Sequence, residues 1–170
     1  MPAVLDARAI FEVLAEHDVD YVVVGGLAVQ THGFMRGTVD LDIIPRPGLV
    51  NLSRLGEALA AMGARMYRAT GDVNVADPHL LLRAGFVPVM TDHGRFDVMN
   101  IRTTAGAPKR YEDLRERALE LELDGLQVVV VGLDDLIRMK RAAGREQDLA
   151  DIRALTALDQ DLEREAGGST

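Results

Sequence analysis

The stretch from Tyr21 to Ile44, YVVVGGLAVQTHGFMRGTVDLDII, places a pair of glycines and a pair of acids beside short apolar runs. The apolar residues 21–24 predict a buried strand. Gly25 and Gly26 end that strand, and residues 27–32 predict a short helix. We interpret this stretch as the centre of a functional site.

The second apolar run of the stretch, residues 39–43, predicts another strand after the turn-prone residues 36–38. Because side chains alternate along a strand, Asp40 and Asp42 share one face. The opposite, apolar face consists of Val39, Leu41 and Ile43. Two neighbouring carboxylates repel each other, so a fold that keeps them usually supplies a cation. Oxygen ligands beside phosphates favour Mg²⁺.

Composition limits the classes of protein to consider. The chain has 170 residues, 48% of them hydrophobic, and no cysteine, which predicts one domain over residues 1–170 with a core that needs no disulfides. We find no signal-like or membrane-spanning segment, and we expect a cytoplasmic protein without membrane contact. The formal net charge of −8 argues against broad nucleic-acid binding.

The rest of the chain predicts a mixed α/β (α+β) fold, in which helices flank a mixed sheet and close the C-terminus. Predicted helices span residues 6–17, 49–62, 111–119, 134–143 and 146–165, and predicted strands span 64–69, 87–91, 95–101, 121–123 and 126–131. Segment 70–86 has weak patterns, and we expect a loop with a short helix around 79–83.

Three finer predictions concern the helices. Asp6 and Asp134 are expected to cap the first helix and the helix over 134–143. The apolar residues of the last helix are expected to form its buried stripe: Leu149, Ile152, Leu155, Leu158 and Leu162. The terminal residues 167–170 are expected to fray.

The spacing of the glycines and acids resembles the signature of the DNA polymerase beta-like nucleotidyltransferase superfamily. In that signature, Gly-Gly or Gly-Ser and a short helix precede acid-apolar-acid on a strand, as Gly25 and Gly26 precede Asp40 and Asp42. The resemblance implies that the glycines let the backbone approach a triphosphate, with Thr38 in the same nucleotide-binding set. It also implies that both acids hold Mg²⁺.

The resemblance further implies a third acid on a neighbouring strand. Asp97, between Phe96 and Val98, is the best match. Its implied role is to bind the second ion of a two-metal site and to help activate the attacking hydroxyl.

The segment from Asp135 to Ile152 resembles the closing helices of small bacterial nucleotidyltransferases, which include AbiE-type toxins and minimal aminoglycoside or lincosamide nucleotidyltransferases. By position, Lys140 and Arg145 would contact the triphosphate. The family pattern Asp-x-x-Asp falls on Asp148 and Asp151, which would orient the basic pair.

Each motif also has a structural interpretation. Asp40 and Asp42 could form the solvated face of an edge strand, and Asp97 could be ordinary surface. Lys140 and Arg145 could serve only as cations near helix ends. Arg36 is interpreted as an exposed loop residue. The order of all three acids after a Gly-Gly turn favours the site.

The resemblance implies a Mg²⁺-dependent enzyme that moves a nucleoside monophosphate from an NTP such as ATP to a hydroxyl. The acceptor would be a tRNA, as in toxin relatives with a cognate antitoxin, or a small molecule. Gly26 stands where many members carry Ser, so a hydroxyl contact to phosphate is absent. The chain is shorter than the AbiE-type toxins and is acidic, which argues against RNA. A non-catalytic binding or regulatory partner of a toxin–antitoxin pair is the alternative. An oligomer is compatible with the sequence.

Overall fold

The computed structural model describes residues 4–167, which form a mixed sheet with helices around it. The helices are α1 Ala7–Glu16, α2 Gly25–Thr31, α3 Leu49–Ala61, α4 Pro78–Arg83, α5 Tyr111–Glu116, α6 Leu133–Ala143 and α7 Glu146–Gly167. The strands are β1 Tyr21–Val24, β2 Asp40–Pro45, β3 Arg65–Met66, β4 Phe86–Thr91, β5 Gly94–Met99, β6 Leu119–Leu123 and β7 Leu126–Val130. The predicted α/β class with a helical C-terminus is confirmed.

The order of the strands brings the two acidic strands together. The sheet runs β3-β4-β5-β2-β1-β7-β6. β1 and β2 pair antiparallel, so the chain reverses through α2 between them. β2 and β5 pair in parallel, although more than 45 residues separate them in sequence, because α3, β3, α4 and β4 form the connection.

The two faces of β2 and β5 differ in polarity. Leu41, Ile43, Phe96 and Val98 are buried in the main apolar core. That core also contains residues of α1 and α3, which pack against each other. Because side chains alternate, the residues between these apolar positions lie on the opposite face, where a cavity opens.

Aspartates cap the N-termini of two helices, and one predicted cap is wrong. Asp6 caps α1 as expected, its carboxylate accepting from the Ala9 N–H at 3.0 Å. The predicted short helix in segment 70–86 is present as α4, capped by Asp77. The prediction that Asp134 caps α6 is wrong: Gly132 is the cap, and Asp134 lies within the first turn.

The last helix buries only part of the predicted apolar stripe. Leu155 is buried as expected, whereas Leu149 and Leu162 are exposed, Leu162 to 65%. Asp148 and Asp151 are also buried, because they form ion pairs that apolar periodicity does not register. Residues 168–170 of the segment expected to fray lie outside the described residues, and Gly167 ends α7.

Two strand predictions and one helix prediction also need correction. Val39, expected on the apolar face, precedes β2 and is 75% exposed. The strand predicted over 64–69 is only two residues long, because β3 pairs with β4 at the sheet edge through Arg65 and Met66 alone. The helix predicted over 111–119 ends at Glu116, since Leu119 already pairs with β7.

The described helices are also informative about membranes. Across residues 4–167, none combines the length and apolar character that crossing a bilayer requires.

Candidate active site

The parallel register of β2 and β5 places the predicted acids beside one another. Asp42 lies opposite Asp97, and Asp40 lies opposite Arg95. All four side chains line one cavity of about 530 Å³. Asp97 is only 2% exposed, whereas Asp40 and Asp42 are half-buried. The three acids that the sequence singled out therefore share one face, one sheet and one cavity.

The two glycines begin α2 and lie directly against the acidic strand. Gly25 has a φ of +69°, and a Cβ there would come 2.1 Å from Asp42 Oδ2. A Cβ on Gly26 would come 2.6 Å from Thr38 Oγ1. Because these distances are far below van der Waals contact, α2 can lie this close to Asp42 and Thr38 only without side chains at both positions.

Thr38 orients the first acid. Its hydroxyl donates to the backbone oxygen of Asp40 at 3.1 Å, and it lies 3.3 Å from Asp40 Oδ1. Thr38 also lines the cavity. The structure thus places this residue of the expected nucleotide-binding set beside a carboxylate and at the cavity wall.

The acids of the sheet carry more negative charge than the protein neutralises. Burial, and then the charges of Asp40 and Asp97, raise the pKa of Asp42 from 3.8 to about 7, against the opposing influence of Arg95 and Lys140. Burial also raises the pKa of Asp97, although hydrogen bonding to Arg95 opposes it. An added cation at this face would remove that energetic penalty.

Arg95 is a site residue that the sequence analysis did not select. Its Nη2 donates to Asp97 Oδ2 at 2.7 Å, and its Nη1 lies 3.5 Å from Asp40 Oδ2. The guanidinium also stacks over the Tyr67 ring, 4.9 Å from the centroid. Because side chains alternate along a strand, Arg95, two residues before Asp97, is expected on the same face. Its contact with Asp40 depends on the pairing of β2 with β5, which local sequence does not reveal.

A second charged cluster closes the other side of the cavity, on α6 and α7. Lys140 is 6% exposed and bonds Asp148 at 3.0 Å and Asp151 at 2.8 Å. Arg145 bonds Asp148 at 2.7 Å, as the predicted orienting role requires. Both Lys140 and Arg145 line the cavity.

Asp151 contacts Lys140 of the expected basic pair and also has a partner outside that pair. It pairs with Lys140 and, through Oδ1 and Oδ2 at 2.7 and 2.9 Å, with Arg36. No bond joins it to Arg145 among the described hydrogen bonds and ion pairs. Arg36, expected to be an exposed loop residue, has a side chain that is only 20% exposed and lines the cavity.

The donor set of the sheet fits a hard divalent cation by chemistry and charge. Three carboxylates supply the oxygen ligands that Mg²⁺ prefers, and the charges of Asp40 and Asp97 add to the effect of burial in raising the pKa of Asp42. In the part of the chain that the structure describes, however, no three acidic or histidine side chains converge closely enough to hold a metal. Asp97 is instead hydrogen-bonded to Arg95.

Further cavity residues come from segments without a recognisable motif. The loop after β5 contributes Thr103, Thr104 and Ala105. Gly106 of this loop lies against α6, since a Cβ there would come 2.4 Å from the Arg138 carbonyl oxygen. Sequence reasoning missed this wall because it depends on contact between the loop and a distant helix.

The fold, the glycine-initiated α2 and the acids on β2 and β5 together define a nucleotidyltransferase fold. The chain belongs to the family described as nucleotidyltransferase of unknown function (DUF6036), whose pattern matches residues 5–164. The predicted superfamily is thereby confirmed, while the AbiE-type subtype stays a prediction. A search of curated protein sequences finds no match.

Solved structures share the fold at low sequence identity. The lincosamide antibiotic adenylyltransferase LnuA, solved with lincomycin bound, is 14% identical with a TM-score of 0.63, over 92% of this chain and 99% of that chain. An antigenic nucleotidyltransferase-like protein from Paracoccidioides brasiliensis is 16% identical with a TM-score of 0.56, over 88% and 72%. These similarities establish the architecture.

Proposed function

We propose that the protein transfers a nucleoside monophosphate from a Mg²⁺-bound NTP, with ATP as the first candidate, to a hydroxyl of a small molecule. The observation that carries the proposal is the register of β2 and β5, which sets Asp42 opposite Asp97 with Asp40 on the same face. The same cavity contains the basic residues Lys140 and Arg145.

The three carboxylates would have different roles in the proposed reaction. Asp40 and Asp42 would hold the ion that accompanies the triphosphate, and Asp97 would hold a second ion and accept the proton of the attacking hydroxyl. Bound Mg²⁺ would supply charge neutralisation at the α-phosphorus. Thr38 keeps Asp40 oriented through its hydroxyl, and Gly25 leaves the room that Asp42 occupies.

The basic cluster is suited to the β- and γ-phosphates. Lys140, Arg145 and Arg36 face two acids, Asp148 and Asp151, so the cluster retains one net positive charge. Lys140 uses two of its three N–H donors on these acids, which leaves one for a phosphate oxygen. A cation held by buried acids is pre-organised and loses little entropy when the triphosphate binds.

A small molecule is the acceptor that the cavity favours. The apolar part of the lining consists of Phe86, Met99, Leu136 and Met139, and the cavity volume is about 530 Å³. The net charge of −8 also argues against a long nucleic-acid footprint. The name of LnuA describes transfer of an adenylyl group to an antibiotic, and that activity supports this class of acceptor without identifying it. A tRNA acceptor, a cognate antitoxin and a cytoplasmic location stay predictions from the sequence.

Calorimetric titration of each NTP with Mg²⁺ tests the proposal. We expect the wild type to bind one NTP in a metal-dependent manner and Asp40→Asn/Asp42→Asn to lose that binding. Asp159→Asn, on an exposed position of α7, is the matched control and should bind as the wild type does. Metal-dependent binding that survives in the double variant contradicts the assigned site. Absence of binding for every NTP favours the non-catalytic alternative.

A further inference from the structure

The guanidinium of Arg95 occupies the middle of the acidic face. It donates from Nε to Asp97 Oδ1 at 3.3 Å and from Nη2 to Asp97 Oδ2 at 2.7 Å, so both carboxylate oxygens are engaged. Its remaining Nη1 lies 3.5 Å from Asp40 Oδ2. One side chain therefore contacts the acids of both strands.

This geometry sets Arg95 in competition with any cation that binds Asp97. A forked guanidinium–carboxylate pair is among the stronger polar contacts in proteins, and Asp97 is 2% exposed, so water screens the pair little. A carboxylate that accepts one N–H on each oxygen keeps further lone pairs for a metal. A metal bound there brings a second cation beside the guanidinium, and the repulsion between the two charges loosens the pair.

Tyr67 already contacts the guanidinium while Arg95 is bonded to Asp97. The ring centroid lies 4.9 Å from the Arg95 Cζ, and Arg68 stacks on the same ring at 5.0 Å. The Tyr67 backbone N–H donates to the Pro88 carbonyl at 2.9 Å, which anchors the residue beside β4. Arg95 can thus release Asp97 and still keep a cation–π contact.

We propose that Arg95 is a positioning residue that holds Asp97 until a nucleotide-bound metal displaces it from that carboxylate, while Tyr67 retains the guanidinium through the cation–π contact that it already makes. The inference rests on the proposed function, because it assumes that Asp97 is a metal ligand. Its consequence is ordered loading: metal alone binds weakly, and metal with NTP binds well because the triphosphate adds ligands. The acidic face then stays paired when no nucleotide is present.

The first test measures Mn²⁺ binding to the full chain by electron paramagnetic resonance, with and without an α,β-methylene analogue of ATP. Arg95→Gln should bind Mn²⁺ about tenfold more tightly than the wild type in the absence of nucleotide. The gain from adding the analogue should shrink in that variant. Nucleotide-free affinity equal to or weaker than that of the wild type overturns the proposal.

Tyr67 provides the matched pair of variants. Tyr67→Leu removes the ring and should weaken binding of Mn²⁺ with the analogue, whereas Tyr67→Phe keeps the ring face and should behave as the wild type does. Equal effects of the two substitutions overturn the role of the ring. Both variants leave the contact between Arg95 and Asp97 itself in place.

A measurement on the wild type avoids dependence on how the variants fold. The Nε–H resonance of Arg95, followed by NMR, should move when Mg²⁺ and the analogue are added together and stay in place with Mg²⁺ alone. A resonance that does not move under either condition overturns the proposal. If the wild type binds metal with the analogue and Arg95→Gln changes nothing, only the inference about Arg95 fails. If no form binds metal with the analogue, the proposed function fails with it.

Discussion

Two sets of buried aspartates, one that lines the cavity and one that pairs with its basic residues, have opposite electrostatic situations. Asp97 on β5 and Asp148 and Asp151 on α7 are nearly inaccessible, at 2%, 1% and 0% exposure. Burial raises the pKa of Asp97, and of its neighbour Asp42. Burial acts in the same direction on the two acids of α7, but their hydrogen bonds to basic side chains outweigh it and lower the pKa of each.

The difference between the sets lies in the supply of cations. Asp148 and Asp151 share Lys140, Arg145 and Arg36. Among the described ion pairs, Asp40 and Asp97 share Arg95 alone, and Asp42 has no direct partner. The acids of α7 are therefore saturated and serve to hold basic side chains. The acids of the sheet are unsaturated and suited to an exogenous cation.

The largest expected effect on stability comes from a substitution in the ion-paired acids of α7. Asp151→Ala removes the partner of Arg36 and one of two partners of the buried Lys140. Breaking a buried ion pair on one side costs roughly 3–5 kcal/mol of the free energy of unfolding, because the remaining charge stays buried. Urea unfolding measures this loss. Asp159→Ala, on an exposed position of the same helix, should change stability by less than about 0.5 kcal/mol. Equal losses of stability in the two variants would mean that the ion pairs of Asp151 do not stabilise the fold.

The next largest effect is expected at Gly25, where two variants separate the cost of contact with Asp42 from the cost of a left-handed backbone. Gly25→Ala places a Cβ against Asp42 in a left-handed backbone and should cost roughly 2–4 kcal/mol and weaken Mg²⁺·ATP binding. Gly125→Ala is the matched control, since Gly125 has a φ of +84° and open space around it, and it should cost about 1 kcal/mol. Thermal unfolding and calorimetry follow both variants. Similar losses in the two would show that contact with Asp42 is unimportant.

The smallest effect concerns the orientation of one unsaturated acid. Thr38→Val removes the hydroxyl beside Asp40 at nearly constant shape and should lower Mg²⁺·ATP affinity about fivefold, in keeping with about 1 kcal/mol for one hydrogen bond. Thr38→Ser retains the hydroxyl and should bind within about twofold of the wild type. Calorimetry compares the two. A serine variant as weak as the valine variant would assign the role to packing instead.

The sequence could predict what depends on neighbours along the chain. Strand alternation places Asp40 and Asp42 on one face, and Asp97 lies on a strand that a hairpin turn identifies. The short connection between α6 and α7 likewise brings Lys140 and Arg145 near Asp148. These features need only residues close in sequence, together with a known family pattern.

The remaining features depend on contacts between distant segments. Arg36 and Asp151 are 115 residues apart, and Arg95 meets Asp40 only through the pairing of β2 with β5. The buried face of α7 was mispredicted for the same reason. Leu155 of the predicted stripe is buried, but Asp148 and Asp151 are buried on the same face, whereas Leu149 and Leu162 are exposed.

The pH dependence of stability, measured without metal on the wild type and Asp42→Asn, tests the central claim most directly. The pKa of Asp42 is about 7 in the folded protein against an ordinary 3.8, so the folded state binds the extra proton. This group therefore destabilises the wild type increasingly as pH rises from about 4 to about 7.

Asp42→Asn should remove that slope and leave the variant more stable at pH 8, by on the order of 1–3 kcal/mol, while it loses Mg²⁺·ATP binding. Chemical denaturation at half-unit steps of pH provides the comparison. A variant that is less stable than the wild type at pH 8, with an unchanged slope between pH 4 and 7, would contradict the account, because Asp42 would then be as saturated as the acids of α7.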